Sequence, residues 1–341
     1  MPSLMGIVRF PLGGRFLMKP LRSSSLSIVV PCYKSADCLD ALAAAIKTAL
    51  TGKVAHMELI LVDDGSPDGG RTWTVIQDLT SRYNWVRGIQ HRRNFGQDAT
   101  TITGLRHIHG DFVIVMDDDL QHDPNDIPAL LSTIQNGDHD VVYAVFDESK
   151  YKLWKRLGSW FNGKVAEWLI NKPPLIYLSS FKIIRGEVAR EVTKYSGPFP
   201  YVDSLLLQLT NRLSQVSVQQ HERFAGTSNY TFRISVQRWA RMAFSLSLSP
   251  LRLSMWGGVI FSLLGLGCAV AVILYRLFID KFSDDRAGWA SLMVTILTLG
   301  GLQMIFIGIL GEYVGRSHIT IQQAPQSTIA QMTPYDETWH E

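Results

Sequence analysis

Phe112-Val-Ile-Val-Met116 runs straight into Asp117-Asp118-Asp119-Leu120-Gln121. A short apolar run rich in β-branched residues suits a strand buried on both faces. The pattern recurs upstream. Leu26-Ser-Ile-Val-Val30 stops at Pro31, and Glu58-Leu-Ile-Leu-Val62 stops at the turn cluster Asp63-Asp64-Gly65-Ser66-Pro67-Asp68-Gly69. Residues 86–90 and 140–145 read as further strands, and residues 38–50, 73–83, 99–109 and 127–135 have helical spacing. Strands alternating with helices predict an α/β, Rossmann-like, mostly parallel sheet. Chemistry in such sheets gathers at the carboxyl ends of the strands. Residues 31–33, 63–66 and 117–121 all fall there.

Three adjacent carboxylates repel one another, so a positive charge must offset them. A divalent cation with oxygen ligands, Mg2+ or Mn2+, is the economical answer. Strand alternation puts Asp117 and Asp119 on one side and Asp118 on the other. Asp117 and Asp119 are therefore the candidate metal ligands, with Gln121 as a neutral oxygen donor or supporting partner. A DxD string by itself is also a common solvated turn. Its place directly after a buried strand favours the metal reading. At the neighbouring strand ends, Asp63 or Asp64 can accept from a base imide or a ribose hydroxyl, and Tyr33, beside Pro31, can stack on a base.

Composition bounds the class. The chain has 341 residues with a net charge of +3, too weak an excess to argue for nucleic acid. Hydrophobic content of 46% is high and unevenly spread. Cys32, Cys38 and Cys268 show neither metal-ligand nor disulfide spacing, which suits a reducing compartment. Residues 1–24 form a basic extension with Arg9, Arg15, Lys19 and Arg22 and no continuous apolar stretch. That argues against a cleaved secretory signal and leaves a membrane-touching tail or a start at Met18 open.

The C-terminal third differs. Residues 254–275 and 287–311 carry no charge over 22 and 25 residues. Each is long enough to cross a bilayer. Spans over 254–279 and 287–315 are expected, paired as a hairpin, with a polar tail at 316–341. Glycines in both permit close helix packing and suggest a homo-oligomer. Residues 151–170 and 233–253 set basic residues beside Trp and other apolar ones, as interfacial amphipathic helices do. Arg241, Arg252 and Arg316 flank the hairpin on the side assigned to the cytoplasm, although Lys281 and Arg286 blur the charge bias.

Set together, these motifs resemble the family 2 glycosyltransferases of GT-A fold, in the branch that glycosylates polyprenyl phosphates. The matching strings are Ile28-Val-Val-Pro-Cys-Tyr33, residues 62–69, Arg93-Asn-Phe-Gly-Gln-Asp-Ala99, Met116-Asp-Asp-Asp-Leu-Gln-His-Asp-Pro124, Ser179-Ser-Phe-Lys182, Gly226-Thr-Ser-Asn-Tyr230 and Gly311-Glu-Tyr-Val-Gly-Arg316. The resemblance covers residues 25–316 and implies a GT-A domain over 25–232. It implies that Pro31, Tyr33, Asp63, Asp64, Asn94, Asp118, Ser228 and Tyr230 bind a nucleotide sugar, expected from the family to be UDP-linked. Asp117, Asp119 and Gln121 would hold the metal and diphosphate. A polyprenyl phosphate would attack with inversion, gripped by Arg156, Lys182 and Arg185. The family's Pro-x-Tyr-Asn-Glu reads Pro31-Cys-Tyr-Lys34-Ser35 here, Asn229 replaces a basic residue, and Asp118 stands where many relatives have Ala.

Two rivals share features. Processive polysaccharide synthases carry Gln-x-x-Arg-Trp, but Ser235 stands where the Gln is required before Arg238-Trp239. A non-catalytic membrane partner would not need the Asp117, Asp119 and Gln121 set.

Overall fold

The computed structural model describes residues 24–146, 173, 176–197, 200–218, 249–278, 288–322 and 325–334. The expected interfacial helix at 151–170, most of the one at 233–253, and Arg156, Ser228 and Tyr230 lie outside the described residues.

In chain order the elements are β1 (Ser25–Cys32), α1 (Leu39–Leu50), β2 (His56–Asp63), α2 (Arg71–Arg82), β3 (Val86–His91), α3 (Gln97–Leu105) and β4 (Phe112–Val115). A single 3-10 turn, Pro124–Asp126, leads into α4 (Ile127–Asn136). Then come β5 (Val141–Phe146), β6 (Lys182–Arg185), α5 (Gly186–Val192), α6 (Val202–Leu209) and β7 (Leu213–Val218). Two long helices, α7 (Ser249–Phe278) and α8 (Gly288–Ile321), precede β8 (Ile329–Met332). All the strands join one sheet in the order β7-β5-β6-β4-β1-β2-β3-β8. Its centre is parallel, while β6 runs against β4 and β5, and β8 runs against β3.

Both faces of the sheet's centre are covered, which is why β1, β2 and β4 are mostly apolar runs rather than alternating ones. Leu26, Ile28, Leu59, Leu61, Ile114 and Ile183 face the helices α1, α2 and α4. Val29, Ile60, Val113, Val115 and Ile184 face α3, α5 and α6. Strand register places Cys32 opposite Asp63, Asp63 opposite Gln90, and Val29 opposite Val115. The carboxyl ends of four strands therefore form one shelf.

Two parts of the chain differ from the sequence reading. The stretch 316–341 is not simply a polar tail: α8 continues to Ile321, and β8 returns to pair with β3. β6, which the apolar pattern does not reveal, holds both Lys182 and Arg185 inside the sheet. Along α7 and α8, large apolar side chains such as Trp256, Leu263, Leu266, Met304, Ile305 and Val314 are exposed.

Candidate active site

The shelf is built from loops that interlock. Gly65, with φ of 60°, passes so close to the 92–96 loop that an added Cβ would lie 2.5 Å from the carbonyl carbon of Arg93. Only glycine fits there. Asp64 accepts from the amides of Phe95 and Gly96, each at 2.8 Å, and from His91 Nδ1 at 3.0 Å. Asp63 accepts from Ser66 Oγ at 2.6 Å and from Gln90 Nε2 at 3.0 Å. Both carboxylates are buried, Asp63 at 1% exposure and Asp64 at 4%. Their visible work is to tie β2, β3 and the 92–96 loop together. Tyr33, in contrast, is 46% exposed at the mouth of the shelf, beside Pro31.

Within the acidic run, Asp117 and Asp118 point to different sides. Asp117 turns toward α3 and β6, where Gln97 Nε2 donates to it at 2.7 Å and Ser180 Oγ at 2.7 Å. Asp118 turns the other way, under the β1–α1 loop, where Ser35 Oγ and the Tyr33 amide donate to it. Burial pushes the Asp118 carboxyl up to about 6, with Asp117 and Asp119 adding to the rise and the two hydrogen bonds opposing it. Asp119 accepts from the Gln121 amide at 3.2 Å, closing the loop on itself. His122 braces that loop. Its Nδ1 accepts the Asp117 amide proton at 3.1 Å, and its ring stacks on Phe181 at 5.0 Å. Burial pulls the His122 pKa down against the pull of Asp117 and Asp119, which suits a ring that must accept.

Two non-glycine residues have positive φ here: Leu120 at 58°, within the run, and Lys34 at 60°, in the neighbouring β1–α1 loop. Such backbone costs energy and concentrates at functional sites. Leu120 is held there by packing on the core, and Lys34 by the hydrogen bond its backbone N–H donates to Ser66 Oγ at 2.9 Å.

The structure does not bring together all the residues expected at the site. Lys182 reaches the correct edge, since it pairs with Val115, but it is 3% exposed and its ammonium is bonded to Asp203. Tyr143 also donates to Asp203, at 3.1 Å. A lysine consumed in a buried pair is a support for the sheet rather than a grip for a phosphate. Arg185 lies at the opposite end of β6, opposite Phe112. Its guanidinium donates to the carbonyls of His139, Ile134 and Gly137 and lies 3.6 Å from Asp140. It belongs to the amino edge of the sheet. Asn94 sits exposed on the 92–96 loop, near the shelf.

Gln97, Ser180 and Ser35 bond the acidic run directly and His91 bonds Asp64, and the sequence alone singled out none of the four. Gln97 and Ser180 do fall within strings that carry the family resemblance, so their signal was present without a role attached.

The donor set suits a hard cation. Asp117 and Asp119 offer carboxylate oxygens, Gln121 an amide oxygen, and each carboxylate keeps lone pairs beyond the bonds described. Among the described residues no three acidic, imidazole or thiol groups are gathered as a cage. Mg2+ and Mn2+ commonly take one or two carboxylates and complete the shell with substrate oxygens and water.

Known proteins match this chain along most of its length. The family model described as glycosyl transferase family 2 matches residues 27–191. An uncharacterized glycosyltransferase of Synechocystis sp. is 30% identical over 88% of this chain and 93% of its own length. An undecaprenyl-phosphate 4-deoxy-4-formamido-L-arabinose transferase of Edwardsiella ictaluri is 28% identical over 88% of this chain and 92% of its own. The namesake enzyme of Salmonella typhimurium is 26% identical over 93% and 97%. A solved structure of glucosyl-3-phosphoglycerate synthase from Mycobacterium tuberculosis, in complex with Mn2+, UDP and glucosyl-3-phosphoglycerate, aligns with a TM-score of 0.49 at 19% identity, over 66% of this chain and 79% of its own. The mostly parallel sheet with its acidic shelf is the GT-A architecture, and the chain belongs to glycosyl transferase family 2.

Proposed function

We propose that this glycosyltransferase moves a sugar from a nucleotide sugar, UDP-linked in our reading, to a polyprenyl phosphate at the cytoplasmic face of a membrane. Such a product would serve cell-surface glycan or lipopolysaccharide modification. The observation that carries the reading is the match to undecaprenyl-phosphate sugar transferases over 92% and 97% of their own lengths, long helices included. The exposed apolar side chains of α7 and α8 support it. By length and composition, Thr298–Ile321 is able to cross a membrane. In the proposed hairpin the other span is residues 254–279, almost all within α7, of which the apolar stretch Ser254–Gly267 is too short to cross by itself.

On this reading Tyr33 and Pro31 receive the base. Asp63, Asp64 and Asp118 hold the shelf on which the nucleoside rests, and Asn94, Ser228 and Tyr230 contact the donor. Asp117, Asp119 and Gln121 would hold Mg2+ or Mn2+. When bound, that ion neutralises charge on the departing diphosphate. Gln97 and Ser180 keep Asp117 pointed at it, and His122 fixes the loop. The nucleophile is an oxygen of the lipid phosphate, already ionised near neutral pH, so no strong general base is needed and the demand falls on positioning. Attack opposite the leaving diphosphate inverts the anomeric carbon. Arg156 is the remaining candidate to grip the lipid phosphate. In the long helices, Cβ positions at Gly265, Gly267, Gly300, Gly301, Gly308 and Gly311 are open, which leaves small-residue faces for a homo-oligomer.

The test is transfer by membranes carrying the protein, with polyprenyl phosphate, a panel of UDP- and GDP-sugars, and Mg2+ or Mn2+. Metal-dependent labelling of the lipid is expected. No labelling with any donor would remove the reading.

A further inference from the structure

The acidic shelf is reached by a polar chain that begins behind the second long helix. Ser327, just before β8, has its hydroxyl 2.8 Å from Thr103 Oγ1 on α3. Thr103 Oγ1 lies 2.9 Å from His91 Nε2, and His91 Nδ1 lies 3.0 Å from Asp64. Asp64 holds the amides of Phe95 and Gly96, each at 2.8 Å. The next residue, Gln97, donates to Asp117 at 2.7 Å. His91, Thr103 and Asp64 are all buried, so water does not compete for these bonds.

The segment that starts this chain is anchored independently. The side chain of Gln326 accepts from Arg106 at 2.7 Å and donates to the carbonyls of Tyr195 and Gly197 at 2.8 and 2.7 Å. Thr333 exchanges bonds with Gly88, donating its amide at 3.0 Å and accepting at its hydroxyl at 2.9 Å. Thr103 is the vulnerable link. Its single proton has two claimants, His91 Nε2 at 2.9 Å and the Ala99 carbonyl at 3.0 Å. With Ser327 as the donor, its proton occupies a lone pair of Thr103 and holds the hydroxyl in place between them.

We infer that residues 325–334 are a strap that sets the position of Gln97 and Asp117, with His91 as the positioning residue that transmits it. The inference rests on the reading of Asp117 as a donor-side ligand. Since α8 ends at Ile321, the strap joins the long helix to the donor loop through a handful of residues.

Two substitutions in the full-length protein test this. Ser327→Ala removes only the first hydroxyl. His91→Asn keeps an amide donor for Asp64 and loses the link to Thr103. In membranes, His91→Asn is expected to raise the donor KM about five- to tenfold, the size of one buried hydrogen bond, with Ser327→Ala smaller and the lipid-phosphate KM unchanged in both. In metal-free protein, hydrogen exchange at the Phe95 and Gly96 amides is expected to quicken. Unchanged donor KM with unchanged exchange would overturn the strap, as would equal rises in both KM values. Quickened exchange in a protein whose wild type moves no sugar to lipid would keep the strap and remove only the acceptor assignment.

Discussion

Two carboxylate clusters on the same sheet are built in opposite ways. Beside β5 and β7, Asp140 accepts from Arg212 at 2.7 and 3.0 Å and from Thr210 at 2.5 Å. Burial pushes the Asp140 carboxyl up, but Arg212 and Thr210 outweigh it and hold the pKa below the usual carboxylate value. At the shelf, Asp117 and Asp118 are met by neutral groups: Gln97, Ser180, Ser35 and the Tyr33 amide. There burial wins, and Asp118 rises to about 6. One cluster is neutralised from within the chain and clasps three strands. The other is met by neutral donors at Asp117 and Asp118, and in the proposed reading it would take a cation from outside. Residue type does not separate them; the charge of their neighbours does.

Breaking each cluster should therefore fail differently. Asp119→Asn keeps the size and removes the charge. It should lower sugar transfer by about 10³-fold, the scale of losing a preorganised electrostatic contact, while the thermal midpoint holds. Near-normal transfer would show that the shelf needs no cation at this position. Asp140→Asn should do the reverse. It leaves Arg212 without its buried partner and should cost about 2 kcal/mol of folding stability, with donor KM unchanged. A thermal melt and a donor titration read both. A donor defect without destabilisation would erase the contrast.

The same contrast explains what was legible in the sequence. From Ser25 to Asn136, β1, β2 and β4 are apolar runs, β3 is a short mixed stretch, and the helices have clear spacing, so element order and the shelf could be read directly. Alternation predicts opposite sides for Asp117 and Asp118, and their partners do lie apart, Gln97 and Ser180 for one and Ser35 for the other. Three strands gave no such signal. β6 has only Ile183 and Ile184 between two charges, β7 alternates on an edge, and β8 is four residues long and follows a long helix. Lys182 and Arg185 look like phosphate ligands on paper because lysine and arginine are seldom buried unpaired. Their partners, Asp203 and Asp140, are distant in sequence, and only the folded sheet brings them near. The engagement of Asp64 is equally hidden in the sequence, since it depends on His91 and on the amides of Phe95 and Gly96.

The smallest effect separates the clusters by sign. Asp118 has a folded pKa of about 6 against an ordinary 3.8, so the folded state binds its proton more tightly than the unfolded state does. Its contribution to stability is greatest below the ordinary value and is lost as pH rises through about 6. Asp140, held below its ordinary value, contributes above that value and loses its contribution as pH falls. In metal-free protein, Asp118→Asn should raise the thermal midpoint near pH 7.5 by the equivalent of about 1 to 2 kcal/mol and leave it almost unchanged near pH 4. Mg2+ or Mn2+ should narrow the gap at the higher pH, because a cation beside the run stabilises the ionised wild-type carboxylate more than the amide. Thermal melts at the two pH values, with and without the ion, decide it. An equal rise at both would assign the gain to packing rather than charge, and the shelf would then resemble the Asp140 cluster after all.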